Sequence, residues 1–331
     1  MSERDIPVQA PTATTSKLTR FVSAYGQEIV IALALVALFV IVGMINPRYL
    51  GSGNLKTIFS GNAYVAVAAI GMSMVIITGN IDVSVGALIG VLPTISGTLA
   101  AAGYPVIIAW TVPVLVGILV NTFVGILVAY ARIPSIVVTL GMLSILRGGL
   151  ISVTDGAWIT DFPPEYFIAQ KKLFGIAVPV IFMVVLTILA FLWLRYTAFG
   201  RSLYAIGGNP VAARAEGIPI ERRIVAVFSI HGAFAGLATI IFATQLRIIQ
   251  STVPPNLELT VIMASVIGGV SILGGIGTVI GSTLAAVLFA AIGSAMIFVN
   301  ISAYWLRAVI GLLILITVLA DMARRHRSGR A

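Results

Sequence analysis

The chain has no cysteine and only two histidines in 331 residues. Disulfides, thiol nucleophiles and cysteine-based metal sites are thereby excluded, and His231 and His326 do not make a metal-ligand spacing. Each histidine is read as structural or merely exposed. Charge is scarce too: Asp, Glu, Lys and Arg make up 9% of residues, against about a quarter in a typical soluble domain. There is no HExxH pattern, no Ser/His/Asp set, and no carboxylate relay of the sort proton-driven pumps use. The Gly-rich run 274–281 has no lysine after it and lies between apolar stretches, so it is not a phosphate-binding loop. The chain is therefore not expected to be an enzyme, to hold a metal or cofactor, or to supply its own driving energy.

What is present is apolar surface. Hydrophobic residues make up 59% of the chain, more than a soluble core can hide, and the runs are far too long for barrel strands. The expected class is an all-α integral membrane protein with about ten transmembrane helices. They are placed at 29–45, 63–78, 83–101, 106–131, 135–153, 174–194, 224–249, 257–273, 280–299 and 305–320. Residues 1–27 read as a disordered cytoplasmic tail, 28–322 as a single membrane domain, and 323–331 as a basic cytoplasmic tail. Leu55 to Ser60 suit a short interfacial helix.

Charge orients these spans. Thirteen Lys and Arg fall in the segments assigned inside and four in the outer loops, which puts both termini in the cytoplasm. Clustering of arginines in loops fits topology better than nucleic-acid binding. Gly-broken turns follow the second span (79–86) and the eighth (274–281), a hint of an inverted five-plus-five repeat. Gly86 and Gly90, Gly232 and Gly236, and Gly277 and Gly281 have the four-residue spacing that lets helices pack closely.

Two places stand out. The first is Arg195 to Arg223, with five arginines and two glutamates. Asn209 can cap a helix there, Pro210 suits its first position, and Gly217 can end it after about seven residues. Such a helix is either a contact for another protein or an ordinary solvated loop that satisfies the positive-inside rule. The second is Asp82, flanked by Asn80 and Ser84 at a helix break. It could line a solute path or cap the helix that starts at Val83; the cap is the plainer reading. Arg147 and Arg247 are placed to meet carboxylates inside the bundle, with Glu258 a partner for Arg247. An outer loop, 155–173, carries Trp158, Phe162, Tyr166 and Phe167, suited either to lying on the membrane or to docking a polar partner.

Four segments carry a family resemblance: GNIDVSVGALIG (79–90), RIPSIVVTLGMLSILRG (132–148), AFGRSLYAIGGNPVAARAEGI (198–218) and ASVIGGVSILGGIGTVIG (264–281). Together they resemble the permease subunit of bacterial ABC importers for ribose, arabinose, xylose, rhamnose and autoinducer-2. The resemblance implies an inner-membrane permease for a monosaccharide or similar small polyol. Its partners would be a cytoplasmic ATPase that binds ATP and Mg, a periplasmic binding protein and a second permease copy or paralogue. It also makes 195–223 the coupling loop, with Asn209, Pro210, Ala213, Arg214 and Gly217 docking on the ATPase. Asn80, Asp82, Ser84 and Glu258 are then pathway or gate candidates. One departure stands at the outer gate, where relatives have Gly and this chain has Leu257 before Glu258. The competing reading is a self-contained secondary transporter or channel for a small neutral solute.

Overall fold

A computed structural model describes residues 17–302 and, beyond them, 305, 308, 309, 311, 312, 315 and 319. Residues 1–16, most of the expected tenth span and the basic tail 323–331 lie outside the described residues. The first helix, α1, runs from Lys17 to Ile45, so helix replaces the expected tail from residue 17 onward. Next, α2 (Ser52–Lys56) continues through a π turn, Thr57–Gly61, into α3 (Ala63–Ile77). After it come α4 (Val85–Ala101), α5 (Val106–Ala129), α6 (Ser135–Thr154), α7 (Val178–Tyr196), α8 (Ala198–Gly208) and α9 (Pro210–Ala215). The last three are α10 (Ile220–Ala243), α11 (Leu257–Ile267) and α12 (Val279–Phe298).

Seven helical stretches among the described residues are long and apolar enough to cross a membrane, and α4 and α11 are shorter apolar helices. The expected eighth span, 257–273, is the main correction. Its 11-residue helix α11 covers only ~16 Å at 1.5 Å per residue, about half a bilayer core. Residues 268–278 continue as irregular backbone that is buried in part, with Leu273 and Ile276 exposed. Their polar groups are satisfied there: Val270 N donates to Ser265 O, Ser271 N to Ile276 O, and Gly275 N to Ile77 O at 2.8 Å. Non-helical backbone survives at membrane depth only on such terms.

The core is built around α3. Every residue from Val65 to Ile77 is buried, as expected of a helix that is apolar on all sides. It packs against α10, α12, α11 and α7. Small residues allow the helices to approach. Gly117 of α5 faces Gly232 of α10, and a Cβ on Gly117 would come within 2.5 Å of the Gly232 carbonyl. Gly236 fits against Val114 in the same way, and Gly86 and Gly90 of α4 fit against Glu258 and Val253. The third expected pair differs: Gly277 lies outside α12, at φ 144°, and fits against Val270, while Gly281 of α12 fits against Gly268. Buried hydroxyls stitch the helices further. Ser73 Oγ lies 3.1 Å from Ser265 Oγ and 2.6 Å from Ser282 Oγ, joining α3, α11 and α12.

The loop expected at 155–173 folds inward. Its strand β1 (Trp158–Ile159) pairs with β4 (Ile249–Gln250), and a hairpin of β2 (Lys172–Leu173) and β3 (Ile176–Ala177) leads into α7. Tyr166 is fully buried, stacks on Phe162 and lies 2.9 Å from Ser96 Oγ. Phe162 and Phe167 join it in a small second core over the ends of α4, α5 and α10. Trp158, the fourth aromatic, stays exposed. Burial pushes the Tyr166 hydroxyl up to about 12, the Ser96 contact opposing the shift only in part.

Candidate coupling and gating site

The short helix signal in the arginine-rich stretch is realised as α9. Asn209 Oδ1 accepts from Val211 N and Ala212 N, both at 3.0 Å, and Pro210 occupies the first turn. At the other end Gly217 takes φ +78°, where a Cβ would be strained. Ala213 is buried against Ile206 and Ile220, so one side of the helix is anchored. The opposite side is open: Val211 is 79% exposed. Arg214 pairs with Glu221 of α10 at 2.5 Å and is still 60% exposed.

The root of this helix is tightly held. Gly207, near the end of α8, lies between the Ile77 carbonyl and Gly275 N, with no room for a side chain. Gly274 touches both Gly207 and Gly79 N. The Tyr204 hydroxyl donates to Gly277 O at 2.9 Å. Burial, reinforced by the Glu28 charge, pushes that phenol up to about 12. From α1, Gln27 Nε2 donates to Ile267 O at 3.1 Å, and Thr278 Oγ1 donates to Glu28. Three of the sequence segments singled out above thus meet at one junction: 79–90, 198–218 and 264–281. Gln27 and Glu28 are part of it, though the sequence placed one in a tail and left the other unremarked.

The second group of candidates lies deeper. Helix α4 starts at Val85, two residues later than expected, and Ser84 at its cap position makes no side-chain cap bond. Asp82 holds the turn just before the helix, its Oδ1 accepting from Ser84 N at 2.8 Å and from Ser84 Oγ, so it does not cap α4 as the plainer reading expected. Its other oxygen faces His231 Nε2 of α10 at 3.5 Å, and both residues are fully buried. One carboxylate therefore bonds the turn through one oxygen and faces the histidine with the other. His231 was unremarkable in the sequence because its partner is far away along the chain. Asn80 is partly buried and folds back on Thr78, 3.1 Å from its hydroxyl. Glu258 is 8% exposed and packs on Gly86 at the start of α4. The expected pairing of Glu258 with Arg247 does not occur among the described residues. Arg247 is exposed and Arg147 half-buried.

No group of three or more metal-ligating side chains occurs among the described residues. Two stations remain, a solvent-facing capped helix and a buried carboxylate at a helix break. The packed junction of Ile77, Gly79, Gly207 and Gly275 connects them.

Residues 54–318 match the family model described as the branched-chain amino acid transport system / permease component. The autoinducer 2 import system permease protein LsrC of Escherichia coli O9:H4 (strain HS) is 38% identical over 298 residues, 89% of this chain and 87% of that protein. The same-named protein of Salmonella typhi is 38% identical over 297 residues, 89% of this chain and 86% of its own. No solved structure matches. The chain therefore belongs to the branched-chain amino acid transport system / permease component family, as a multi-pass membrane permease of an ABC importer that is not itself an enzyme.

Proposed function

We propose that this permease lines the path of a small neutral solute of the sugar and autoinducer-2 class. A periplasmic binding protein delivers the solute, and a cytoplasmic ATPase subunit drives the chain through α9. Residues 28–322 act as one domain with both termini on the ATPase side, and a second copy or a related permease completes the pathway. The autoinducer 2 import role of the similar permeases supports the solute class. A neutral solute also suits a bundle whose buried Asp82 is already bonded to Ser84.

One observation carries the coupling role. The outer face of α9 is open to a partner, while Gly207, two residues before Asn209, is clamped between the breaks after α3 and before α12. A displacement of α9 is transmitted to those breaks because backbone touches backbone there, with no flexible side chain between. The 78–84 turn, with Asp82 and Ser84, begins directly after Ile77, and Glu258 faces it across Gly86. Asn209, Pro210, Ala213, Arg214 and Gly217 shape the docking helix, while Asn80, Asp82, Ser84 and Glu258 belong to the moving gate.

The test is uptake into proteoliposomes holding the permease and its ATPase, with loaded binding protein outside and ATP inside. The proposal expects solute accumulation that requires all three components. Accumulation driven by an ion gradient without the ATPase would overturn it.

A further inference from the structure

On the same end of the molecule as α9, a separate cavity of about 350 Å³ is lined by Ala129, Tyr130, Arg132, Pro219, Glu221 and Arg222. It lies where α5 ends, α6 is about to begin and α10 starts. Three arginines surround one carboxylate here, and Arg214 already holds Glu221. Arg132 and Arg222 are exposed and make no ion pair or side-chain hydrogen bond among the described residues. Arg132 also sits at φ 55°, a left-handed position after a helix that glycine or asparagine usually takes.

The cavity continues into an apolar track. Leu115, Leu119, Phe123, Ile126 and Tyr130 are all exposed and recur at helical spacing along one side of α5. From Leu115 to Tyr130 this stripe runs ~22 Å, longer than the ~15 Å depth of one leaflet. Tyr130, 58% exposed, stands where the stripe meets the arginines, the position a tyrosine takes at a membrane interface. A polar, positively charged cavity at the end of an apolar stripe matches a molecule with an anionic head and long hydrocarbon chains.

We propose that this cavity binds the headgroup of an anionic phospholipid, with Arg132 and Arg222 on the phosphate and the acyl chains along the α5 stripe. The site is distinct from the solute path and adjoins the docking helix through the Arg214–Glu221 pair. An acidic protein partner would satisfy the arginines but not the stripe, which favours lipid.

Native mass spectrometry of the detergent-purified full chain tests this. Dioleoylphosphatidylglycerol, dioleoylphosphatidylcholine and inorganic phosphate are the probes. The wild type is expected to retain phosphatidylglycerol in preference to phosphatidylcholine, and excess inorganic phosphate is expected not to displace it. The double variant Arg132→Gln/Arg222→Gln should bind phosphatidylglycerol about 30-fold more weakly, the effect of two interfacial charges. Arg48→Gln, remote from the cavity, should bind as wild type, and unchanged thermal unfolding would show that the double variant is folded. Equal binding of the two lipids, or undiminished phosphatidylglycerol binding by the double variant, would overturn the proposal. Displacement by inorganic phosphate would reassign the cavity to free anions. Loss of lipid on adding the ATPase subunit would reassign it to that interface.

Discussion

Gly207 of α8 lies directly against the carbonyl of Ile77 at the end of α3, and Gly275 N donates to that same oxygen at 2.8 Å. The Ile77 carbonyl thus lies at the meeting point of the segment that carries α9 and the two broken turns. Gly208, one residue on, has open space where its Cβ would be. Gly207→Ala is expected to cost ~1–3 kcal/mol, the usual range for overpacking, and to lower uptake. Gly208→Ala should leave both unchanged. Thermal unfolding and uptake of the two variants, compared side by side, check the prediction.

A charge swap separates the observed pair of Arg214 with Glu221 from its proposed part in docking. In the structure it pairs with Glu221, and exposed pairs contribute little to stability. Arg214→Glu should therefore insert and unfold like the wild type while binding the ATPase weakly. Arg214→Glu/Glu221→Arg restores an internal pair but not the positive charge on α9. The double variant is expected to stay uncoupled. Recovery of uptake would place the arginine's contribution in the pair.

Asp82 is expected to separate its two functions in the same manner. Asp82→Asn keeps an acceptor for Ser84 N but removes the charge facing His231. Asp82→Ala leaves a buried donor without a partner, at a cost of ~1–3 kcal/mol. Unfolding temperatures should therefore fall in the order wild type, Asn, Ala. His231→Gln should reduce uptake by a factor similar to Asp82→Asn, since each removes one side of the same contact. A silent His231→Gln beside an inactive Asp82→Asn would show that the charge acts on something other than His231.

The loop 155–173 yields a contrast between buried and exposed residues. Tyr166→Phe deletes the contact with Ser96 and should cost ~1 kcal/mol. Asp161 and Glu165 are exposed, so Asp161→Lys/Glu165→Lys should leave stability unaltered and weaken stimulation of ATPase activity by the binding protein. Unfolding curves and ATPase assays in the reconstituted complex separate the two.

The legible parts of this chain were those with local causes. Asn209, Pro210 and Gly217 are capping signals that act within one turn, and the structure realises each of them. The eighth span was overread because 268–273 is as apolar as a helix. Hydropathy does not register that Gly269, Gly274 and Gly275 take left-handed conformations there or that protein satisfies their backbone. The Asp82–His231 contact and the contacts of Gln27 and Glu28 with Ile267 and Thr278 join distant parts of the chain. No periodicity reports such pairs. Phe162, Tyr166 and Phe167 were misplaced for a related reason: the sequence does not show that Ser96 lies beneath Tyr166, whereas Trp158 is exposed as expected.

The account turns on α9 being the place where the ATPase acts. Because the chain has no cysteine, Val211→Cys introduces a single thiol on the open face of that helix. In membranes containing the assembled complex, a short thiol-to-amine crosslinker should join this residue to the ATPase subunit. The same label at Phe174, 93% exposed on the β2–β3 hairpin, should not join it. No crosslink from Val211→Cys in a complex that still transports, or an equal yield from Phe174→Cys, would contradict the account.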